Sequence, residues 1–251
     1  MGSAATPTAD APRTAGPLVT IIIPAYNEEA CLEDVLRATA AEAGRAHLDY
    51  EILIVDDGSR DHTAEIAERL IAEDPPRRRL VRHRVNRGSG QAIRTGIANA
   101  RGTYAIYVPA DGQFEISELE HYVMAAQEQR ADIVIGARIA RSDYSRYRLL
   151  SSRVFIFLCN RLFRQDFEDV NWVHLWRVGL FEHVSARSGG VFFLEEIIAR
   201  ARRKGFTVVE IPSQYKPRGG GKAKGSRPTV ILRTLADMAR LWAEFFLPSG
   251  V

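Results

Sequence analysis

From Val19 onward the chain alternates two kinds of pattern. Short apolar runs at 19–23, 51–55, 104–108 and 132–136 are separated by stretches of helical patterning at about 28–43, 63–73, 89–100 and 117–130. Apolar runs of this length suit buried strands, and strand followed by helix, repeated, predicts a mostly parallel sheet with helices on both faces. In the third helix Ile93, Gly96, Ile97 and Ala100 stand at i, i+3, i+4 and i+7, and Gly102 follows as a left-handed stop.

After about residue 137 the pattern changes. A long basic and aromatic stretch, "RIARSDYSRYRLLSSRVFIFLCNRLFR", is followed by "FEDVNWVHLWRVGLF", a helix near 192–204 and a strand at 207–211. These read as the second half of one α/β domain, with bounds at 18–227. The first seventeen residues, "MGSAATPTADAPRTAGP", have no apolar core and read as a disordered tail, not a secretory signal. Residues 228–251 are predicted as an amphipathic C-terminal helix with Ile231, Leu235, Met238, Trp242 and Phe245 on one face. No apolar run approaches the ~18–20 residues that a membrane-spanning helix needs.

Composition narrows the picture further. With 251 residues, 46% of them hydrophobic and 26% charged, the chain can bury a full core. The formal net charge of +3 is too small to imply a nucleic-acid partner. Cys31 and Cys159 lie in apolar helical contexts and read as reduced core thiols, with no zinc-site spacing.

In an open parallel sheet, ligands bind in the crevice beyond the carboxyl ends of the strands. Three turns there are polar: "VTIII" runs into "PAYNEE", "EILIV" into "DDGSRDHT", and "YAIYV" into "PADGQF". Taken singly, Pro24 ends a strand, Asn27 caps a helix, and Asp57, Gly58, Ser59 and Asp61 are turn and cap chemistry. Taken together they predict a shared crevice, since adjacent Asp56 and Asp57 repel unless a ligand, a donor or water neutralises one. The glycine-spaced "GSGQAIRTG" is not a dinucleotide loop: the strand before it, near 79–83, reads as basic and broken, and no acid closes a second strand about 20 residues on.

"IPAYNEE", "IVDDGSRDHT", "NRGSGQAIRTGIANARGTY", "PADGQF", "GAR", "DVNWVHLWR", "FLEEIIARARRKG" and "EIPSQYKPRGGGK" occur in one order over residues 18 to 240. In this the chain resembles the inverting family 2 glycosyltransferases of the GT-A fold, within them the polyprenyl-phosphate sugar synthases related to dolichyl-phosphate mannose synthase. The resemblance implies a Rossmann-like, mostly parallel sheet in a single domain, and a hexosyl transfer from a GDP- or UDP-linked sugar to a polyprenyl phosphate with inversion. It places Pro24, Tyr26 and Glu28 in the nucleotide pocket, Val55 and Asp57 beside the base, and Ala110, Asp111 and Gln113 at the diphosphate and its Mg²⁺ or Mn²⁺. A hard divalent ion suits that task because it neutralises the leaving diphosphate while needing few protein ligands. In the usual Asp-x-Asp pair of such enzymes the first acid mainly helps hold the ribose and the last contacts the metal. Here Pro109 replaces the first, so Asp111 and Gln113 form a minimal grip.

The second half should hold the acceptor phosphate on Arg138, Arg148, Arg153, Arg218 and Lys222, cations of the kind that grip phosphate; a solvated surface charge is the alternative for Arg148 and Arg153, while strand-end position and the resemblance favour Arg138 and Arg218. Asp169 matches the acid near the reacting sugar. Because a phosphate nucleophile is already ionised, this acid need only orient. Asp111, Asp169, Arg138 and Arg218 are thus the catalytic expectations. Glu195 and Glu196 read as helix-start charges, and His174 and His183 as structural.

A lipid acceptor implies a cytoplasmic enzyme lying peripherally on the inner face of the membrane, with the 144–163 stretch and the C-terminal helix in the headgroup region. Alternatively, the C-terminal helix packs on the sheet, on a second copy in a homo-oligomer, or on a separate membrane subunit. Relatives often continue into transmembrane helices; this sequence ends at Val251. Two other readings stay open: a soluble family 2 enzyme with a sugar or small-molecule acceptor, and a non-catalytic nucleotide-sugar-binding scaffold.

Overall fold

β1 (Val19–Ala25) and β2 (Tyr50–Asp56) are buried on both faces, which is why each reads as a continuous apolar run and not as an alternation. The computed structural model describes residues 16–141, 144–217 and 228–247. Further along the chain come β3 (Arg78–Arg82), β4 (Tyr104–Tyr107), β5 (Ile133–Arg138), β6 (His174–Arg177) and β7 (Val208–Ser213). Together they form a seven-stranded sheet in the order β3-β2-β1-β4-β6-β5-β7. All neighbours are parallel except those of β6, which runs antiparallel to both β4 and β5.

Helices α1 (Leu32–Arg45), α2 (Thr63–Ala72), α3 (Ser89–Ala98), α4 (Leu119–Glu128), α5 (Arg146–Phe163), α6 (Phe193–Arg203) and α7 (Pro228–Phe246) complete the described elements. Two apolar clusters result, one on each face of the sheet. One gathers Ile21, Ile23, Ile52, Ile54 and Ile106 with Leu32, Leu36, Leu119 and Tyr122; the other gathers Ile22, Leu53, Val55 and Ile135 with Ile93, Ile97, Phe193 and Ile197. The two-sided sheet is the architecture that the alternating pattern predicts.

Several local expectations need correction. β3 is a regular strand, parallel to β2 from Ile52↔Arg78 to Asp56↔Arg82. Its basic residues are tolerated because it is the sheet edge, where charge is normal. α1 begins at Leu32 and not near 28, because residues 26–31 form a loop; Asn27 takes φ 54° and its Oδ1 accepts from Arg60 N at 2.9 Å instead of capping a helix. Cys31 is accordingly a half-buried helix-entry residue, while Cys159 is fully buried.

Gly102 is not a left-handed stop. It lacks a side chain because a Cβ there would lie 2.6 Å from Thr20 N and 2.7 Å from Tyr104 O. Glu195 and Glu196 are not solvated helix-start charges either, since both are 0% exposed. Glu196 accepts from Arg187 N, Ser188 N, Ser188 Oγ and Arg200 Nε at 2.6–2.9 Å, and Glu195 pairs through Oε1 with the Gln165 amide.

On α7 the predicted stripe is divided. Met238 is buried, while Leu235 and Trp242 are 44% and 38% exposed; Leu241 completes the inward face. Ionic contacts from α6 hold this helix down, with Arg200 donating to both Glu244 oxygens at 2.6 and 2.8 Å and Arg203 Nη1 to Phe245 O at 2.6 Å. No helix of the described residues is long and apolar enough to cross a membrane.

Candidate active site

Register brings the first two polar turns together. Pro24 lies opposite Val55 and Ala25 opposite Asp56, so both loops leave the sheet at the same level. They are then stitched to one another. Asn27 N donates to Ser59 Oγ (3.0 Å), Glu28 N to Thr63 Oγ1 (2.8 Å) and Glu29 N to Asp61 Oδ2 (3.3 Å); in return His62 N donates to Glu29 Oε2 (3.0 Å). Pro24, Tyr26 and Glu28 in this seam are half-buried.

The neighbouring acids do not wait for a ligand: donors of the chain itself, one of the expected alternatives, neutralise them. Asp57, 3% exposed, accepts from His83 Nδ1 (2.6 Å), Asn86 Nδ2 (2.9 Å), Arg87 N (2.9 Å) and Gly88 N (2.8 Å). Asp56 accepts from Ser59 N at 3.0 Å and faces Arg82 Nε at 3.0 Å. The protein itself supplies the donors, and Asp57 organises the 83–88 loop. Gly58 completes the turn: φ is +71°, and a Cβ there would lie 2.6 Å from Val85 C.

The third turn follows β4. Gly112 takes φ +73°, folding Asp111 back so that its Oδ1 accepts from Gln113 N at 3.2 Å. Gln113 Nε2 donates to Tyr215 Oη at 2.5 Å and Gln113 O accepts from Lys216 N at 2.8 Å, tying this turn to the segment after β7. Asp111 and Gln113 are 8% and 4% exposed. The chemistry of this set, one carboxylate and one amide oxygen, fits a hard divalent ion that takes its remaining ligands from a diphosphate. Among the described residues no group of three or more His, Cys, Asp or Glu could hold a metal unaided.

Strand direction explains how Asp169 reaches the same edge. Parallel strands offer the residues that follow them, whereas antiparallel β6 offers those that precede it. Asp169, just before β6, therefore meets Arg138, the last residue of β5. Arg138 donates to it through Nε (2.6 Å) and Nη2 (3.0 Å), and Arg141 Nη2 adds a third contact at 2.8 Å. Burial alone would raise the Asp169 carboxyl, but Arg138 and Arg141 outweigh it and hold the group below the usual carboxylate range. Asp169 is 1% exposed and ionised, with its lone pairs committed to guanidinium groups. Gly136 makes room for this arrangement, since a Cβ there would fall 1.9 Å from the Tyr122 hydroxyl.

An aromatic wall surrounds the pair. Arg138 Cζ stands 4.9 Å from the Trp172 ring centroid, and its Nη1 donates to Tyr144 Oη at 2.5 Å. Arg148 Cζ lies 3.6 Å from the centroid of Tyr144, which meets Tyr215 edge-on. Tyr107, at the end of β4, stacks on Trp176 at 6.3 Å. Burial raises its phenol above the ordinary value; Arg138 opposes the rise while Asp111 and Asp169 add to it, so Tyr107 is within electrostatic reach of all three.

The structure thus gathers Pro24, Tyr26, Glu28, Val55, Ala110, Asp111, Gln113, Arg138, Arg148 and Asp169 at one edge of the sheet. Arg153 is exposed on α5 and makes none of these contacts. Arg218 and Lys222 lie outside the described residues. Arg141, Tyr107, Tyr144 and Tyr215 were not singled out from sequence. Their one legible signal was position, each falling within a few residues of a strand end or of the Arg138 motif.

This is a GT-A fold, with three polar turns and an acid–arginine cluster at one edge of the sheet in one α/β unit. The glycosyl transferase family 2 profile matches residues 20–184, and the chain belongs to that family. It is 30% identical over 238 residues to the glycosyltransferase AglD of Haloferax volcanii, covering 91% of this chain and 37% of that protein. It is 32% identical over 212 residues to the undecaprenyl-phosphate 4-deoxy-4-formamido-L-arabinose transferase of Edwardsiella ictaluri, covering 82% and 62%. The chain therefore spans between about a third and two thirds of these relatives' lengths. Among solved structures, the mannosyl-3-phosphoglycerate synthase of Rubrobacter xylanophilus superposes with a TM-score of 0.71 at 16% identity, covering 94% of this chain and 77% of that one. The glucosyl-3-phosphoglycerate synthase of Mycobacterium tuberculosis, in complex with Mn²⁺, UDP and its product, gives 0.69 at 16% identity, covering 94% and 83%.

Proposed function

We propose that this enzyme moves a hexose from a nucleoside diphospho-sugar to a polyprenyl phosphate, inverting the anomeric centre. The observation that carries the reading is the charge balance at the crevice: Arg138 already neutralises Asp169, Arg141 adds a second guanidinium, and Arg148 stands beside them on Tyr144. An excess of cation next to the Asp111 turn suits two substrates that each bring phosphate. The relative named as an undecaprenyl-phosphate transferase supports the lipid acceptor.

Pro24, Tyr26, Glu28 and Val55 line the nucleotide pocket, and Asp57 shapes the loop beneath it. Asp111, with the Gln113 amide oxygen, holds Mg²⁺ or Mn²⁺, which when bound neutralises charge on the leaving diphosphate. Asp169 acts as an orienting anion and not as a base. Its depressed pKa makes it a poor proton acceptor near neutral pH, and an ionised phosphate oxygen needs no base. Arg138 and Arg148 face the acceptor phosphate; Arg153 sits further out, on the exposed face of α5, and the expectations at Arg218 and Lys222 fall outside the described residues.

That exposed face supports peripheral membrane contact. Tyr147, Leu150, Val154 and Phe157 recur at i, i+3, i+7 and i+10 and are 47–65% exposed. Arg146, Arg153 and Arg161 flank them, and α7 adds Leu232, Leu235 and Trp242. An apolar stripe edged with arginine is the chemistry of a helix lying among anionic headgroups.

The test is release of nucleoside diphosphate from a panel of UDP- and GDP-sugars with Mg²⁺ or Mn²⁺, with undecaprenyl phosphate in vesicles, with 3-phosphoglycerate, or with no acceptor. Stimulation by the lipid phosphate alone supports the proposal. Stimulation by the small acceptor alone assigns the soluble reading, and binding of a donor with no release under any condition leaves the scaffold reading.

A further inference from the structure

We propose that Arg141 is a positioning residue for sugar transfer, fixing Asp169 and α5 in one relation so that the acid and the arginine face of that helix reach their substrates together. The inference rests on the reading that this crevice transfers a sugar. Arg138 by itself meets the needs of Asp169, with two near-parallel hydrogen bonds at 2.6 and 3.0 Å and a cancelling charge. A second guanidinium is not required to balance the carboxylate, so its presence calls for another reason.

The reason lies at its other arm. Arg141 Nη2 donates to Asp169 Oδ2 at 2.8 Å while Nη1 donates to Ser152 Oγ at 2.6 Å, on the second turn of α5. Ser152 stands four residues after Arg148 and shares its helix face. Arg148 in turn covers the ring of Tyr144, whose hydroxyl accepts from Arg138. Asp169 is thus linked to α5 twice, through Arg138 and Tyr144 to Arg148, and directly through Arg141 to Ser152. The Arg141 side chain is only 12% exposed, so the bridge is shielded from competing water. A guanidinium can span two acceptors in this way because its fork is planar and rigid, whereas the ammonium of a lysine is a point charge. Since α5 also carries the exposed apolar stripe, seating that helix on a surface and placing Asp169 become one event.

The test compares Arg141→Gln, Arg141→Lys and Ser152→Ala with the wild-type chain. Steady-state kinetics would use a nucleotide sugar, Mg²⁺ and undecaprenyl phosphate in detergent, alongside donor hydrolysis without lipid, with rates normalised to the folded fraction. Arg141→Gln is expected to lower kcat by about 10- to 100-fold, the scale of an ångström-sized misplacement, with donor KM within about twofold. Arg141→Lys should not rescue it, and Ser152→Ala should raise the KM for the lipid phosphate several-fold. A role in stability alone would lower Tm and leave kcat in place. Wild-type kcat in Arg141→Gln, or full rescue by lysine, overturns the proposal. Should the Arg141 variants fail to fold, an unchanged acceptor KM in Ser152→Ala overturns it as well. If the wild type hydrolyses donor without using the lipid, the acceptor reading falls and the same kcat drop is sought in hydrolysis; a wild type inactive in both assays refutes both readings.

Discussion

Two buried groups on opposite sides of neutrality should give this protein a flat-topped stability profile, and replacing one of them should remove one side of it. Glu195, on the first turn of α6, is fully buried, with Oε1 on Gln165 and, among the described residues, no hydrogen-bond partner for Oε2. Burial pushes it up from 4.5 to about 8, against the pull of Gln165 and Arg202. His174, at the start of β6, is equally buried; burial takes it from 6.5 down to about 3, against the charge of Asp169 and the Val170 backbone.

Between pH 4.5 and 8 the unfolded chain has lost the Glu195 proton and the folded one keeps it, so stability falls as pH rises. Between pH 3 and 6.5 the unfolded chain protonates His174 and the folded one does not, so stability falls as pH drops. Each contributes a slope of about 1.4 kcal/mol per pH unit. From 4.5 to 6.5 the slopes oppose each other and cancel; below that range the histidine acts alone, and above it the carboxyl does. Glu195→Gln replaces a neutral acid with a neutral amide of the same shape and removes the alkaline limb. The urea midpoints of wild type and variant, taken in half-unit steps from pH 4 to 9, give a difference in which every other titrating group cancels. That difference should move in favour of the variant between pH 4.5 and 8, by an upper bound of roughly 5 kcal/mol. A difference independent of pH would refute the burial of a neutral Glu195.

Asp111→Asn should lower turnover with saturating Mg²⁺ by on the order of a hundredfold, because the leaving diphosphate loses its anchored counter-charge; near wild-type turnover would take Asp111 out of the metal site. Pro109→Asp, measured by calorimetry, should tighten donor binding by about 1 kcal/mol if a ribose contact is restored, whereas a large loss would show that the rigid turn itself is needed. Asp169→Asn leaves two guanidinium groups buried against an amide and should cost about 3–5 kcal/mol at pH 7. Because the folded carboxyl is depressed, that deficit should shrink as pH falls below about 4; equal stability of variant and wild type at pH 7 would contradict the ion cluster. Phe157→Glu should abolish flotation with anionic vesicles and leave the urea midpoint unchanged, since the ring is 65% exposed; unchanged flotation would remove α5 from the membrane.

β1, β2, β4 and β5 and the three polar turns were legible because burial on both faces imprints unbroken apolar runs, and because parallel strands all present their following residues at one edge. β6 was not, since nothing local marks His174–Arg177 as a strand or announces that it runs antiparallel. That direction alone carries Asp169 to Arg138. The partners of Asp57 were hidden for a similar reason: His83, Asn86, Arg87 and Gly88 lie 26–31 residues away and meet it only through the β2–β3 pairing. Acids in a first turn normally answer the helix dipole in water, but α6 is enclosed on almost every side, which turns Glu195 and Glu196 into interior groups. Arg141 escaped notice because a guanidinium between a loop and a helix leaves no spacing signature in the chain.

The most direct test of the central claim is the mass of the product. Lipid extracted after incubating the enzyme with undecaprenyl phosphate, a nucleotide-sugar panel and Mg²⁺ or Mn²⁺ should contain undecaprenyl phosphate heavier by one hexose residue. That species should be missing when Asp111→Asn replaces the wild type. Donor consumed with the sugar recovered on water or on a small acceptor, and never on the lipid, would contradict the account.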